Sequence, residues 1–160
     1  MLPLQPLESY GELRRNLGRG AFSTVDVYSL GSTLHALKRV IHTDRSDPGV
    51  NGIFLREACI LRKLKHPNII KLIDVIFPST LVLPVAECTL RRKILDSWPL
   101  PREQLLMYSK QLLRAVNYIH TRGVWHRDIK LENILIMYDN RLVLSDFGSA
   151  GIKGTREANI

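Results

Sequence analysis

The segment Val124-Trp125-His126-Arg127-Asp128-Ile129-Lys130-Leu131-Glu132-Asn133, followed after a short apolar hairpin pattern by Asp146-Phe147-Gly148, gathers four polar roles into a short span. Asp128 is a carboxylate able to orient and deprotonate an attacking hydroxyl. Lys130 is a point charge suited to a migrating phosphoryl group. Asn133 and Asp146 supply hard oxygen ligands of the kind magnesium prefers. An Asp-Phe-Gly tripeptide alone reads as a simple turn. With Asn133 thirteen positions upstream, the pattern points instead to phosphoryl-transfer chemistry.

Working outward, Leu142-Val143-Leu144 reads as a strand that delivers Asp146. On the other side, Pro99-Leu100-Pro101 opens a long helix, with Pro101 suited to its first turn and Glu103 favourable near its positive end. Leu105, Leu112, Val116 and Ile119 recur at helical spacing up to Gly123 and are expected to be core. This helix is the scaffold for the opening segment. Before it, Thr89 to Leu95 reads as a short basic helix in which Arg91, Arg92 and Lys93 form either a solvated face or a docking patch for an acidic partner.

The N-terminal half has strand periodicity. Glu12 to Leu17 and Thr24 to Leu30 flank the tight turn Gly18-Arg19-Gly20-Ala21-Phe22-Ser23, where Gly18 and Gly20 let backbone amides approach phosphate oxygens without a Cβ clash. A glycine pair in a hairpin is otherwise just a turn. In the strand Leu34 to Val40, two-residue alternation places Lys38 with Leu34, Ala36 and Val40. The helix from Gly52 to Leu64 carries the complementary anomaly, Glu57 on the face of Phe54, Leu61 and Leu64. The positions three and four away from Glu57 are Ile53, Phe54, Ile60 and Leu61, so it has no helical ion-pair mate. An unpaired charge on a buried face is costly, and the economical solution is that Lys38 and Glu57 meet. His66-Pro67-Asn68 stops the helix, with His66 as a turn residue. Ile69 to Phe77 then reads as a largely buried strand and Leu81 to Ala86 as a fifth.

The chain has 160 residues, 45% apolar and 24% charged, which suits one globular domain or two small lobes. Its 23 basic and 15 acidic residues give a net charge of +8, favouring anionic partners such as nucleotides, acidic proteins or nucleic acid. Cys59 and Cys88 lack paired or metal-ligand spacing and read as reduced thiols, an expectation of cytoplasmic or nuclear residence. Met1 to Pro6 lacks the pattern of a signal peptide, and no apolar run is long enough for a membrane span. No membrane association is expected.

These motifs resemble the eukaryotic-type protein kinases, serine/threonine class: His126-Arg127-Asp128 through Asn133 stands in that family's catalytic-loop pattern, and Asp146-Phe147-Gly148 follows at its distance. The resemblance implies an α+β fold. An N-lobe of five antiparallel strands with one long helix would occupy residues 11–86 after a lead at 1–10, and a partial, mainly helical C-lobe residues 87–160. It implies ATP and magnesium as cofactors. Gly18, Gly20, Ser23 and Val25 match the glycine-rich loop, with serine replacing its third glycine, and Leu17 and Val25 match the pair that sandwiches adenine. Lys38, held by Glu57, matches the lysine on the α- and β-phosphates. Leu83 matches the gatekeeper, and Pro84 and Ala86 the hinge, where Pro84 departs from a common acidic residue but still offers its carbonyl while Ala86 supplies an amide. Asp128 would be the base, Lys130 its companion, and Asn133 and Asp146 the magnesium ligands.

The same resemblance makes His126 a support of the fold. It sets Phe147, His126, Leu61 and Leu72 in one hydrophobic column and Val25, Ala36 and Leu135 in another that adenine completes. Lys130 favours Ser/Thr hydroxyls over tyrosine. The family pattern runs on beyond Gly148, so the chain is expected to be truncated within the activation segment, with Thr155 as a candidate phosphosite read by Arg127. The expected function is transfer of the ATP γ-phosphoryl to a protein Ser/Thr hydroxyl, with a regulatory protein partner. The alternatives are a catalytically silent, pseudokinase-like ATP-binding module and, on charge alone, a nucleic-acid-binding protein. No aromatic-and-basic motif supports the last.

Overall fold

In the computed structural model the described residues are 11–20, 23–41 and 51–154. They divide into two compact units. The described residues through Lys63 join Lys71–Val85 in the first, and Leu64–Ile70 join those from Ala86 onward in the second.

The first unit is built on five antiparallel strands: β1 (Glu12–Arg19), β2 (Ser23–Leu30), β3 (Thr33–Val40), β4 (Asp74–Ile76) and β5 (Thr80–Pro84), in the spatial order β1-β2-β3-β5-β4. Register explains how a strand can hold a lysine in a core. Val25 lies opposite Lys38, which lies opposite Leu81, and Val27 lies opposite Ala36, which lies opposite Leu83. Directly opposed residues share a face, as do residues two apart, so Val25, Val27, Ala36, Lys38, Leu81 and Leu83 form one surface. The other face packs Leu37, Val82 and Ile76 with Tyr28. Helix α1 (Gly52–Lys63) buries Phe54, Glu57, Ala58, Ile60 and Leu61. Asn51 caps it by accepting the Ile53 amide at 2.8 Å.

The expected strand from Ile69 to Phe77 shrinks to Asp74–Ile76. The reason lies in its backbone bonds. Asn68 O accepts Leu144 N and Ile70 N donates to Leu144 O, both at 2.9 Å. Residues 68–70 are thereby tied into the second unit, and the chain rejoins the five-stranded sheet at Ile73, whose amide donates to Val82 O at 2.9 Å just before β4. The fifth strand likewise ends at Pro84, two residues short of Ala86.

The second unit contains α2 (Leu90–Ser97) and α3 (Arg102–Thr121). The pairs β6 (Cys88–Thr89) with β8 (Ile134–Ile136), β8 with β9 (Leu142–Leu144), and β7 (Val124–Trp125) with β10 (Gly151–Ile152) complete it. Thr89 caps α2 through its hydroxyl, and Pro101, expected in the first turn of α3, stands one residue before it at the N-cap. The buried side of α3 differs from the expected stripe. Tyr108, Ala115 and Ile119 are buried, Leu112 and Val116 are half-buried, and Leu105 is exposed. The helix is turned so that Tyr108, an aromatic with a polar tip, takes the place assigned to Leu105. The basic run on α2 is a solvated, ion-paired face: Arg92 bonds Asp96 one turn on, and Arg91 bonds Glu132 at 2.7 Å.

No helix among the described residues is long and apolar enough to cross a membrane.

Candidate active site

In the first unit Lys38 Nζ lies 2.9 Å and 2.8 Å from the two carboxylate oxygens of Glu57. The Glu57 side chain is 1% exposed and that of Lys38 11%. The two anomalies of the sequence therefore meet as a buried ion pair. Val25, Ala36 and Leu83 lie on the same sheet face as Lys38. Gly18 sits opposite Val25 in a β-bulge at φ 151°, a conformation that disfavours any side chain. Gly20 N donates to Ser23 O at 2.8 Å, closing the loop tip whose Ala21 and Phe22 fall outside the described residues. Leu17 is exposed on β1, and Pro84 ends β5 opposite His35, where a missing amide is tolerated.

In the second unit the opening segment of the sequence folds back on itself. The Lys130 ammonium and the Asn133 side-chain amide each donate to Asp128 Oδ2 at 2.8 Å, and Asn133 Nδ2 also reaches the Asp128 carbonyl at 2.8 Å. Asn133 itself is buried. Its backbone carbonyl accepts both the amide and the hydroxyl of Ser145, each at 2.9 Å. Ser145 precedes Asp146, so this one residue links the Asp128 loop to the Asp-Phe-Gly segment. Asp146 is half-buried at φ 61°, and Arg127 has φ 66°. Left-handed backbone at non-glycine residues is strained, and such strain concentrates at functional sites.

His126 Nε2 donates to Ser145 O at 2.9 Å, Asp128 N donates to His126 Nδ1 at 3.3 Å, and the ring lies edge-on to Phe147 with centroids 4.7 Å apart. Both nitrogens are engaged by backbone, which makes His126 a structural brace and leaves Asp128 as the base candidate. Leu61, Leu72 and Val25 belong to the first unit; Ala86, His126, Leu135 and Phe147 belong to the second. Leu135 pairs with Thr89 and Val143. Thr155 lies outside the described residues.

The hydrogen bond from Lys130 holds the Asp128 carboxyl below the usual carboxylate range, against a weaker opposing effect of burial, and Asn133 adds to the lowering. The same bond raises the Lys130 ammonium. Asp128 is thus oriented by two donors on one oxygen, an arrangement suited to positioning a hydroxyl.

The donor set fits magnesium in a particular way. With the Asn133 amide nitrogen bonded to Asp128, its carbonyl oxygen is the atom left for a cation, and Asp146 adds a carboxylate. No three His, Cys, Asp or Glu side chains cluster as a metal site among the described residues. Two hard ligands suit a cation whose remaining positions are filled by water and phosphate oxygens.

This combination of sheet, loop, buried ion pair and Asp-Asn-Asp constellation has a family: residues 12–158 match the protein kinase domain, and the chain belongs to it. It is similar to CBL-interacting protein kinase 3 of Oryza sativa subsp. japonica, with 37% identity over 149 residues, 88% of this chain and 33% of that protein. It also resembles cyclin-dependent kinase 15 of Danio rerio, at 36% over 151 residues, 91% of this chain and 35% of that protein. CBL-interacting serine/threonine-protein kinase 26 of Arabidopsis thaliana is 38% identical over 101 residues, 61% of this chain and 23% of that protein. The chain therefore spans 35% or less of the length of each.

Two residues of this arrangement escaped the sequence reading. Ser145 had no motif beyond its place before Asp146, and Gln111, which accepts the Leu142 amide at 2.7 Å, is a polar residue outside the apolar stripe of its helix.

Two predictions follow from the charges. Glu57→Gln should destabilise the chain by about 3 kcal/mol, because the buried Lys38 ammonium loses a carboxylate held against it by two short bonds, whereas Lys38→Met with Glu57→Leu should cost much less. Urea unfolding of the single and double variants measures both, and strictly additive losses would contradict the coupling. Lys130→Met should raise the Asp128 carboxyl toward its ordinary value, as read by a carboxylate NMR titration. Because the folded value is depressed, the stability this pair adds is present above the ordinary aspartate range and fades as pH falls through the lowered one. Both side chains face solvent, so the effect on stability is small.

Proposed function

We propose that this chain carries the nucleotide and metal machinery of an ATP-dependent protein serine/threonine kinase. The observation that supports this most is the Asn133 junction, which aligns Asp128 by its side chain and anchors the residue before Asp146 by its backbone. In this reading Gly18, Gly20 and Ser23 cover the phosphates, and Leu17, Val25, Ala36, Leu83, Pro84, Ala86 and Leu135 receive adenine. Lys38, fixed by Glu57, grips the α- and β-phosphates. Asn133 and Asp146 hold magnesium, which when bound neutralises charge on the phosphate oxygens. Asp128 orients the substrate hydroxyl and accepts its proton, and Lys130 stabilises the charge of the group in transit. Lys130 in this loop and the name of the Arabidopsis relative support a Ser/Thr acceptor. Two relatives are named for interaction with CBL and one for dependence on cyclin, and by likeness a regulatory protein partner is proposed here as well.

With magnesium, γ-labelled ATP and a generic basic protein as acceptor, the chain should place label on serine and threonine. Asp128→Asn should lower the rate by about 100-fold or more while nucleotide binding persists. Magnesium-dependent binding without transfer, indifferent to Asp128→Asn, would favour a silent ATP-binding module instead.

A further inference from the structure

The β8–β9 hairpin ends at the metal-binding pair: Asn133 immediately precedes β8, and Asp146 follows β9 by one intervening residue. Its other end is the turn at 137–141, closed by Met137 N to Arg141 O and Asn140 N to Met137 O, each 2.9 Å, with Asn140 at φ 61°. This end is fastened to α3 by side chains at i, i+4 and i+7. The Tyr108 hydroxyl donates to Asn140 Oδ1 at 2.5 Å, and Gln104 Nε2 donates to the Tyr108 oxygen at 3.0 Å and to Asn140 Oδ1 at 3.3 Å. Gln111 Oε1 accepts the Leu142 amide at 2.7 Å. Tyr108 is 3% exposed, and burial keeps its hydroxyl protonated and so a donor.

The hairpin strands are three residues each, about 10 Å long at the usual strand rise. They are held in register by Ile134 opposite Leu144 and Ile136 opposite Leu142, all four buried. Such a short paired ribbon tilts as one piece. A shift at the turn therefore reappears at Asn133 and Ser145, where two bonds lock the strand ends together, and cation sites tolerate little misplacement of their ligands.

We propose that Gln104, Tyr108 and Gln111 are positioning residues for the Asn133–Asp146 pair: α3 grips the turn of the β8–β9 hairpin and so sets the tilt at which its far end carries the two magnesium ligands within the second unit. The proposal rests on the kinase reading of that pair and goes beyond it. The clamp at Leu142 needs only an acceptor. Gln111→Glu retains one, and Gln111→Met, of similar size, does not. Tyr108→Phe independently removes the shorter of the two bonds to Asn140 while keeping the ring.

The test is the free magnesium concentration needed for half-maximal binding of ATP to the chain, alongside binding without the metal. Gln111→Met and Tyr108→Phe should raise the magnesium midpoint by about tenfold, the low end for outer partners of metal ligands, with metal-free binding unchanged. Gln111→Glu should stay near the parent. A folded Gln111→Met with an unaltered midpoint, or Gln111→Glu as impaired as Gln111→Met, overturns the clamp. If Gln111→Met does not fold, Tyr108→Phe decides by the same midpoint. A parent chain that binds ATP with no magnesium dependence, or an Asp146→Asn variant with an unshifted midpoint, overturns the kinase reading and the clamp with it.

Discussion

A buried amide must find partners for its donors and acceptors, and Asn133, 6% exposed, finds them on both sides of the chemistry. Its side chain bonds the carboxylate and carbonyl of Asp128, and its main-chain oxygen takes two bonds from Ser145. Satisfying that one residue brings the base and the Asp-Phe-Gly segment into a fixed relation. His126 reinforces it by bridging Ser145 O and Asp128 N from behind, with Phe147 against its ring. Asn133 and His126 are both buried, so loss of either leaves polar neighbours unsatisfied. That interdependence accounts for the tolerance of left-handed backbone at Arg127 and Asp146.

The first unit solves a different problem. Phosphate needs a cation held still, yet an ammonium in an apolar face is expensive to bury. The sheet register places Lys38 among Val25, Ala36, Leu81 and Leu83, and α1 supplies Glu57 as a two-oxygen counterion. The pair adds little to net stability by itself, since a hydrophobic replacement would serve the core as well. Its presence is better explained by what a fixed positive charge can bind.

Much of this was legible in the sequence because charges in apolar patterns violate periodicity. Lys38 and Glu57 stood out as matched violations, and the spacing from Asp128 to Asp146 carried the other half of the site. Longer-range backbone bonding was not legible. Nothing local shows that residues 68–70 pair with Leu144 rather than with the sheet, which is why the fourth strand came out shorter than expected. On α3 the expected stripe holds at Ile119 and in part at Leu112 and Val116, but the buried side is shifted toward Tyr108 and Ala115 and away from Leu105, because Gln104, Tyr108 and Gln111 bond the hairpin and a tyrosine is half apolar. The ion pairs of Arg91 and Arg92 likewise depend on partners that charge counting does not reveal.

The central claim is that Asn133 and Asp146 together receive the cation that accompanies ATP. Manganese substituted for magnesium tests it without turnover, since its unpaired electrons broaden nuclear resonances steeply with proximity. With ATP present, the account predicts loss of signal centred on Asn133 and Asp146, and no such pattern when Asp146 is replaced by asparagine. Broadening centred on other residues, with these two signals intact, would contradict it.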